Sequence, residues 1–363
     1  VSAIGEIFAT VPRWLSAAGD DAEIVFSSRV RLARNLKGRR FPHHAGGEEL
    51  RGLYDRIMGR SGEAPAFGAS RMVELGGLEI WERRLLAERH LVSREVVENA
   101  KDRGLRVSAD QDLSVLVNEE DHLRLQALVP GFQLDAAAER LWKLEKDLDE
   151  RLEFAFSDRY GYLTTCPTNT GTGMRASVMM HLPGLVHRKE IGKILKSLRS
   201  LRSMHFTIRG MYGEGTEVMG NFFQISNNAT LGVTEEEILE KLDRTVRHIV
   251  EYEQSARKRL FATARRLLED KIWRAYGLLR HARILNTREM LGLVSAVRLG
   301  VGQGLVRGIS LETLNELLVY SQPFHVRARA GRELDTVERD HLRARYVRER
   351  LVGPGNGDGD SPV

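Results

Sequence analysis

The sequence predicts an α+β fold, an antiparallel sheet flanked by helices and followed by a mostly helical C-terminal region. Three observations point there. Short alternating apolar segments fall in groups, with helical stretches inserted irregularly, which disfavours a βαβ repeat. From Thr234 onward the apolar residues recur at helical spacing. Hydrophobic residues make up 42% of the 363, enough for a sizeable core and too many for a disordered chain.

Residues 1–20 read as an amphipathic entry segment, with Ile4, Ile7, Phe8, Val11, Trp14 and Leu15 near helical spacing. A helix is expected around Glu48–Met58. Arg71–Leu75, Leu105–Ala109 and Leu113–Val117 alternate as strands do, with a helical run Glu79–His90 after the first. Asp135–Phe156 sets Leu141, Leu144, Leu148 and Leu152 on one helical face. Strands are expected next at Tyr162–Cys166, Arg175–Leu182, Met204–Arg209 and Phe222–Ser226. Thr234-Glu235-Glu236-Glu237 has the form of a capping box, and the helical pattern behind it runs to about His281. Further helices are expected over Thr287–Leu299, Leu311–Val319 and Leu334–Leu351. The change of character suggests a first domain over residues 1–255, a helical basic domain over 256–351 and a flexible tail over 352–363.

One cysteine, Cys166, excludes an internal disulfide and a CxxC zinc site, and fits a reducing, cytoplasmic compartment. No apolar run approaches the roughly 18 residues of a membrane span, and the start lacks the basic-then-apolar order of a secretory signal. The net charge of +5 hides an asymmetry, because residues 257–350 alone carry a net +10. That region invites phosphates or acidic partners. Arginine outnumbers lysine 45 to 10, a bias that genome composition or high growth temperature also produces.

Common nucleotide and metal signatures are missing. There is no GxxxxGK[ST], no strand-borne GxGxxG and no HExxH. A bound phosphate would have to be cradled by side chains, and arginine suits that task with its fixed fork of donors. In Ser27-Ser28-Arg29-Val30-Arg31, strand alternation puts Arg29 and Arg31 on one face. Asn118-Glu119-Glu120-Asp121-His122-Leu123-Arg124 follows the apolar run Leu113–Val117. Thr164-Thr165-Cys166-Pro167-Thr168-Asn169-Thr170-Gly171-Thr172-Gly173-Met174-Arg175-Ala176-Ser177 reads as a strand, a turn and another strand, with the lone cysteine at a strand end and Val178 and Met179 continuing the second strand. Arg209-Gly210-Met211-Tyr212-Gly213-Glu214-Gly215 is a Gly-rich loop after a strand. Each segment alone is also what a solvated strand face or an ordinary turn looks like.

Together, in this order, the four segments resemble the catalytic domain of the guanidino (phosphagen) kinase family over roughly residues 20–255. Thr170 departs from the family pattern, where an aliphatic residue is usual. The resemblance implies a guanidino kinase (glutamine-synthetase-like) fold, ATP as phosphoryl donor and Mg²⁺ held by phosphates and water. It implies that Arg29, Arg31, Arg124, Arg175 and Arg209 clamp the ATP phosphates, with Ser27, Ser28, Val30, Ala176, Ser177, Val178, Met179 and Gly210–Gly213 as neighbouring contacts. His90 is a weaker match to an adenine-side contact. Glu120 resembles the carboxylate that holds the acceptor guanidinium and takes its proton. Glu214 is similar to the second orienting carboxylate, and Cys166 to the cysteine beside the guanidinium.

Two features narrow the likeness to the protein arginine kinase branch. Ser27 comes too early for the N-terminal lid domain of the small-guanidine kinases, and Glu214 leaves 149 residues for an added basic domain. Arg339-Asp340-His341-Leu342-Arg343-Ala344 matches that branch's RDxxRA phosphoarginine-binding motif. Arg339 and Arg343, as i, i+4 neighbours, are expected to form a two-pronged basic face. The branch implies protein substrates with accessible arginines, a homodimer, and partners of three kinds: a zinc-binding activator protein, a heat-shock repressor and a Clp protease. Its setting would be stress control through marked degradation, with no membrane and no direct nucleic acid. The competing expectations are a free-arginine kinase, and a non-enzymatic repressor or nucleic-acid-binding module on a kinase-like fold.

Overall fold

The computed structural model describes residues 2–194, 206–209 and 219–352. Its central sheet joins, in chain order, β1 (Val25–Arg34), β2 (Ser70–Glu74), β3 (Gly104–Ser108), β4 (Leu113–Val117), β5 (Leu123–Pro130), β8 (Met174–His181), β9 (Phe206–Arg209) and β10 (Phe222–Asn227). The spatial order is β2-β3-β4-β5-β1-β8-β10-β9, and every pairing is antiparallel. A separate two-stranded ribbon pairs β6 (Phe156–Ser157) with β7 (Gly161–Tyr162).

Period-2 alternation decides what each face of this sheet meets. Val30, Leu32, Leu125, Ala127, Met174, Ala176, Val178 and Ile225 share one face and join the largest core. That core is closed by α2 (Gly47–Gly62), by α5 (Leu134–Leu152) and by the first half of a long helix, α7 (Glu235–His281). On the opposite face a small core lies at the β2–β4 end. There α1 (Ala3–Ala9), α3 (Ile80–Glu88) and α4 (Arg94–Glu98) cover Val73, Leu105, Val107 and Leu116. At the other end Phe26, Leu128, Met179 and Phe222 pack into a helical core. It is built from the second half of α7 with α8 (Thr287–Gly302), α9 (Leu311–Tyr320) and α11 (Thr336–Val352). A floor of β5, β1 and β8 is left uncovered between these two cores. The short α6 (Pro183–His187) and α10 (Pro323–Ala330) complete the described helices.

The expected helices are present, with shifted ends. Thr234 caps α7 by accepting from Glu237 N at 3.1 Å, while Glu237 turns to Lys241 rather than back to the cap. The helix runs through residue 255 and breaks its dihedrals at Ala264 (φ −138°). Asp335 and Glu338 exchange capping bonds at the start of α11. Tyr162–Cys166 is not a strand: the ladder ends at Tyr162. Leu163 N still reaches the Ala155 carbonyl, and from Thr164 onward the bonds go to side chains and a turn. The expected tail is outside the described residues from 353 onward. Among the described residues, no helix is long and apolar enough to cross a membrane.

Candidate active site

The uncovered strip is a cleft of about 1000 Å³, and the register explains its floor. Arg29 faces Leu128 on β5 and Ser177 on β8; Arg31 faces Gln126 and Arg175; Ala33 faces Arg124. Four arginines therefore meet on one face of three adjacent strands, and all four line the cleft. Arg209, on the edge strand β9, is in register with Gln224 of β10, which faces Met179 of β8. Arg209 thus holds a same-face register position two strands along. Arg29 Nε donates to Ser177 Oγ at 3.4 Å.

This brings four positive charges together on the floor. Arg124 is paired with Glu119 at 2.6 Å. The Arg31 guanidinium is held well below its ordinary value, first by burial and then by Arg29, Arg124 and Arg175, with Glu119 opposing. Its Nε is buried with no hydrogen-bond partner. Like charges packed this way attract an anion that neutralises them, so the floor suits phosphates.

His90 ends the helical run at α3 in a left-handed turn (φ 60°) and lines the same cleft. Trp14 packs edge-on against its ring at 5.5 Å, and Gln126 donates to its carbonyl at 3.0 Å. Burial, then Arg29 and Arg31, push its imidazole down to about 3, so it is neutral at working pH.

The acid rim comes from the β4–β5 turn. Asn118 takes the left-handed conformation (φ 57°) that asparagine tolerates, and its amide donates to the Leu50 and Asp102 carbonyls. Leu36 N donates to His122 Nδ1 at 3.0 Å, so the ring proton sits on Nε2 and meets the Arg40 carbonyl at 2.9 Å. These bonds leave Glu120 exposed at the rim. Its carboxyl is raised by partial burial, then by Asp121, while the Cys166 thiol beside it opposes that rise. Asn169 Nδ2 reaches Glu120 at 3.5 Å, and Cys166 Sγ lies 3.0 Å from Thr168 Oγ1.

The Cys166 loop is closed by hydroxyls. Thr164 Oγ1 donates to the Cys166 carbonyl at 2.8 Å, and it lies 3.0 Å from Thr170 Oγ1. The departure at Thr170 thus supplies a polar fastening where an aliphatic side chain could only pack. Thr230 Oγ1 lies 2.8 Å and 2.9 Å from the Thr168 and Thr170 carbonyls. Gly171 (φ 112°) is required there, since a Cβ would come within 2.2 Å of the Thr230 carbonyl.

Of the expected site residues, Arg29, Arg31, His90, Glu120, Arg124, Cys166 and Arg175 line one cleft. Ser27, Ser177 and Met179 line a small extension of it beside His90. Ser28, Val30, Ala176 and Val178 turn their side chains to the opposite face by alternation. Val30, Ala176 and Val178 sit in the core, and Ser28 bonds to the Gly131 carbonyl and Gln133 N. Gly210, Met211, Tyr212, Gly213 and Glu214 lie outside the described residues.

The expected two-pronged face on α11 also differs. Arg343 is fully buried, donating to the Ser321 and Leu285 carbonyls at 2.7 Å each and pairing with Asp340. Ala344 is fully buried in the helical core. Only Arg339 and Asp340 reach the surface, both partly. Helical spacing put both arginines on one side, but the crossing of α9 and α11 makes that side an interior seam.

Sequence reasoning missed Gln322 and Phe324, which bring the helical region to the cleft wall next to Glu88. Phe324 N and His325 N both donate to the Glu88 carboxylate at 3.0 Å. Pro323 at the first turn of α10 was the available signal for a helix start there. Asn35, which fastens the two rim loops, carried no motif at all.

Residues 62–256 match the family model described as ATP:guanido phosphotransferase, C-terminal catalytic domain. Residues 265–358 match the one described as Protein-arginine kinase McsB C-terminal domain. The protein-arginine kinase of Halalkalibacterium halodurans is 42% identical over 340 residues, covering 93% of this chain and 94% of the relative. That of Bacillus subtilis is 40% identical over 346 residues, covering 95% and 94%. Among solved structures, a duplicated taurocyamine kinase from Schistosoma mansoni with bound transition-state-analogue components superposes with a TM-score of 0.59 at 28% identity. It covers 68% of this chain and 37% of that one. A lombricine kinase gives 0.57 at 25%, covering 68% and 72%. With its arginine-floored cleft, its acid and thiol rim and a likeness that spans nearly the whole length, the chain belongs to the protein-arginine kinase family.

Proposed function

We propose that this chain, an ATP-dependent phosphotransferase acting on arginine residues of proteins, carries out the transfer with Arg29, Arg31, Arg124, Arg175 and Arg209 on the donor side and Glu120, Cys166 and Glu214 on the acceptor side. The observation that carries the reading is the floor of four arginines running up to a rim where Glu120 and Cys166 meet.

Phosphoryl transfer depends on in-line positioning and on neutralising charge on the equatorial oxygens. The guanidinium groups gathered on β1, β5 and β8 supply the neutralisation and fix the donor side. His90, neutral and packed on Trp14, offers the nucleotide an uncharged ring. A guanidinium has no lone pair to attack with until it loses a proton. Glu120 holds its plane and takes that proton as the N–P bond forms and ADP leaves with the electrons of the broken P–O bond. The raised carboxyl suits a base of this kind. On this reading Mg²⁺ is held by phosphates and water. When bound it would add charge neutralisation at the transferring group.

On this reading residues 1–255 are the catalytic domain, residues 256–351 are a second, basic domain, and 352–363 are a tail. The partly exposed Arg339 and Asp340, backed by Arg343, form a phosphoarginine site. The chain works as a cytoplasmic homodimer with a zinc-binding activator protein, a heat-shock repressor and a Clp protease as partners, marking proteins for degradation under stress. The match of residues 265–358 to the protein-arginine kinase C-terminal model supports this setting. The test is incubation with Mg-ATP and a generic protein, followed by mass spectrometry for acid-labile phosphate on arginine. Phosphate on free arginine alone would favour the small-guanidine reading.

A further inference from the structure

We infer that Asn35 is a positioning residue for the transfer, fixing the acid loop against the thiol loop so that Glu120 and Cys166 address one guanidinium. The inference rests on the acceptor-side reading above. Asn35 sits just beyond β1 and is almost fully buried. Its amide is fully engaged by the two rim loops. Oδ1 accepts from His122 N at 2.9 Å, and Nδ2 donates to Asp121 Oδ1 at 2.6 Å. The same Nδ2 donates to the Leu163 carbonyl at 3.1 Å. Asp121 Oδ1 accepts in turn from Thr165 N at 2.7 Å. One side chain therefore touches the two residues that follow Glu120, and it reaches Leu163 directly and Thr165 through Asp121.

The main chain supplies no such link, because strand pairing in the second loop stops at Tyr162. The clamp is also matched to its partners' charge. Asp121 is pushed up by burial, and the donors from Thr165 and Asn35 are what oppose that rise. Removing the amide leaves a buried carboxylate short of a donor and an N–H short of an acceptor, so the two loops part. The four floor arginines are held by β1, β5 and β8, and the acid loop meets them through the Glu119–Arg124 pair, which Asn35 does not touch. The nucleotide side is thus expected to be indifferent to the clamp.

The test uses the full chain with Asn35→Ser and, from the other end of the clamp, Asp121→Asn. Turnover on a protein acceptor is measured beside the dissociation constant of ADP, and each change is repeated in a Glu120→Gln background. The expected result is a fall in kcat of roughly 10–100-fold, the scale of a misplaced reacting group. ADP affinity should stay within about threefold, and no further fall should appear once Glu120 is already changed. A parallel loss of ADP binding, or an equal fall in the Glu120→Gln background, overturns the inference. Near-normal turnover of Glu120→Gln alone overturns the acceptor-side reading instead. Failure of both variants to reach the wild-type circular dichroism spectrum also overturns it, by making Asn35 a folding residue.

Discussion

Arg31 on β1 and Arg175 on β8 stand directly opposite each other, two arginines at facing positions of neighbouring strands. Like charges so placed work against the sheet that carries them, and here Arg29 and Arg124 lie alongside. The fold tolerates the arrangement because the strands are secured from the other face, where Val30, Leu32, Met174 and Ala176 are fully buried.

Arg31→Ala should therefore leave the ligand-free chain as stable as before, or more so, while removing its stabilisation by tripolyphosphate or ADP. For the wild type, an anion at 100 times its dissociation constant adds about 2.7 kcal/mol. Thermal melts of both chains across an anion titration check this. An undiminished anion response in the variant would place the anion elsewhere.

Glu120→Gln should cut turnover by on the order of 10²–10⁴-fold at nearly constant ADP affinity. The wild-type rate should fall on the acid side as Glu120 takes up a proton. Because its carboxyl is raised, that limb begins at higher pH than for an ordinary glutamate. A pH–rate profile on a small guanidine separates this from loss of binding.

His90 should remain neutral well below pH 6.5, since its imidazole is pushed down to about 3. The unfolded chain binds that proton first, so the group's contribution to stability is complete above about 6.5. It is lost on acidification at up to about 1.4 kcal/mol per pH unit until about 3. Imidazole proton shifts that titrate near 6.5 in the native protein would contradict this.

Arg343→Ala and Arg339→Ala should part company. The first strips the donor from two buried carbonyls and a carboxylate, and should destabilise by about 3–5 kcal/mol. The second should change stability by less than about 0.5 kcal/mol and act only on phosphoarginine binding. Urea melts and calorimetry with free phosphoarginine distinguish them.

Alternation in the sequence alone was sufficient to put Arg29 and Arg31 on one face with Val30 opposite, because a strand's side-chain period is fixed by its backbone. The same rule turns the side chains of Ser28, Ala176 and Val178 to the other face. Helix positions were legible for the same reason, since apolar spacing reports which side must be buried. Ends were less so, as the Tyr162–Cys166 segment shows. Its backbone partners from elsewhere in the chain are the Ala155 and Gly171 main chain, the Asn35 amide and the Asp121 carboxylate.

What only the tertiary structure decided depends on pairings between distant segments. Strand order brought Arg124 and Arg175 to either side of Arg31, across 93 and 144 residues of sequence. The crossing of α9 and α11 turned Arg343 inward, although its spacing from Arg339 alone puts the two on one face. Asn35 reached both rim loops only because β1 ends beside them. The sequence by itself determined which residue types could do the chemistry and which face each would take locally. Which faces met, and so which groups share a proton, a phosphate or a seam, followed from long-range packing that local periodicity does not encode.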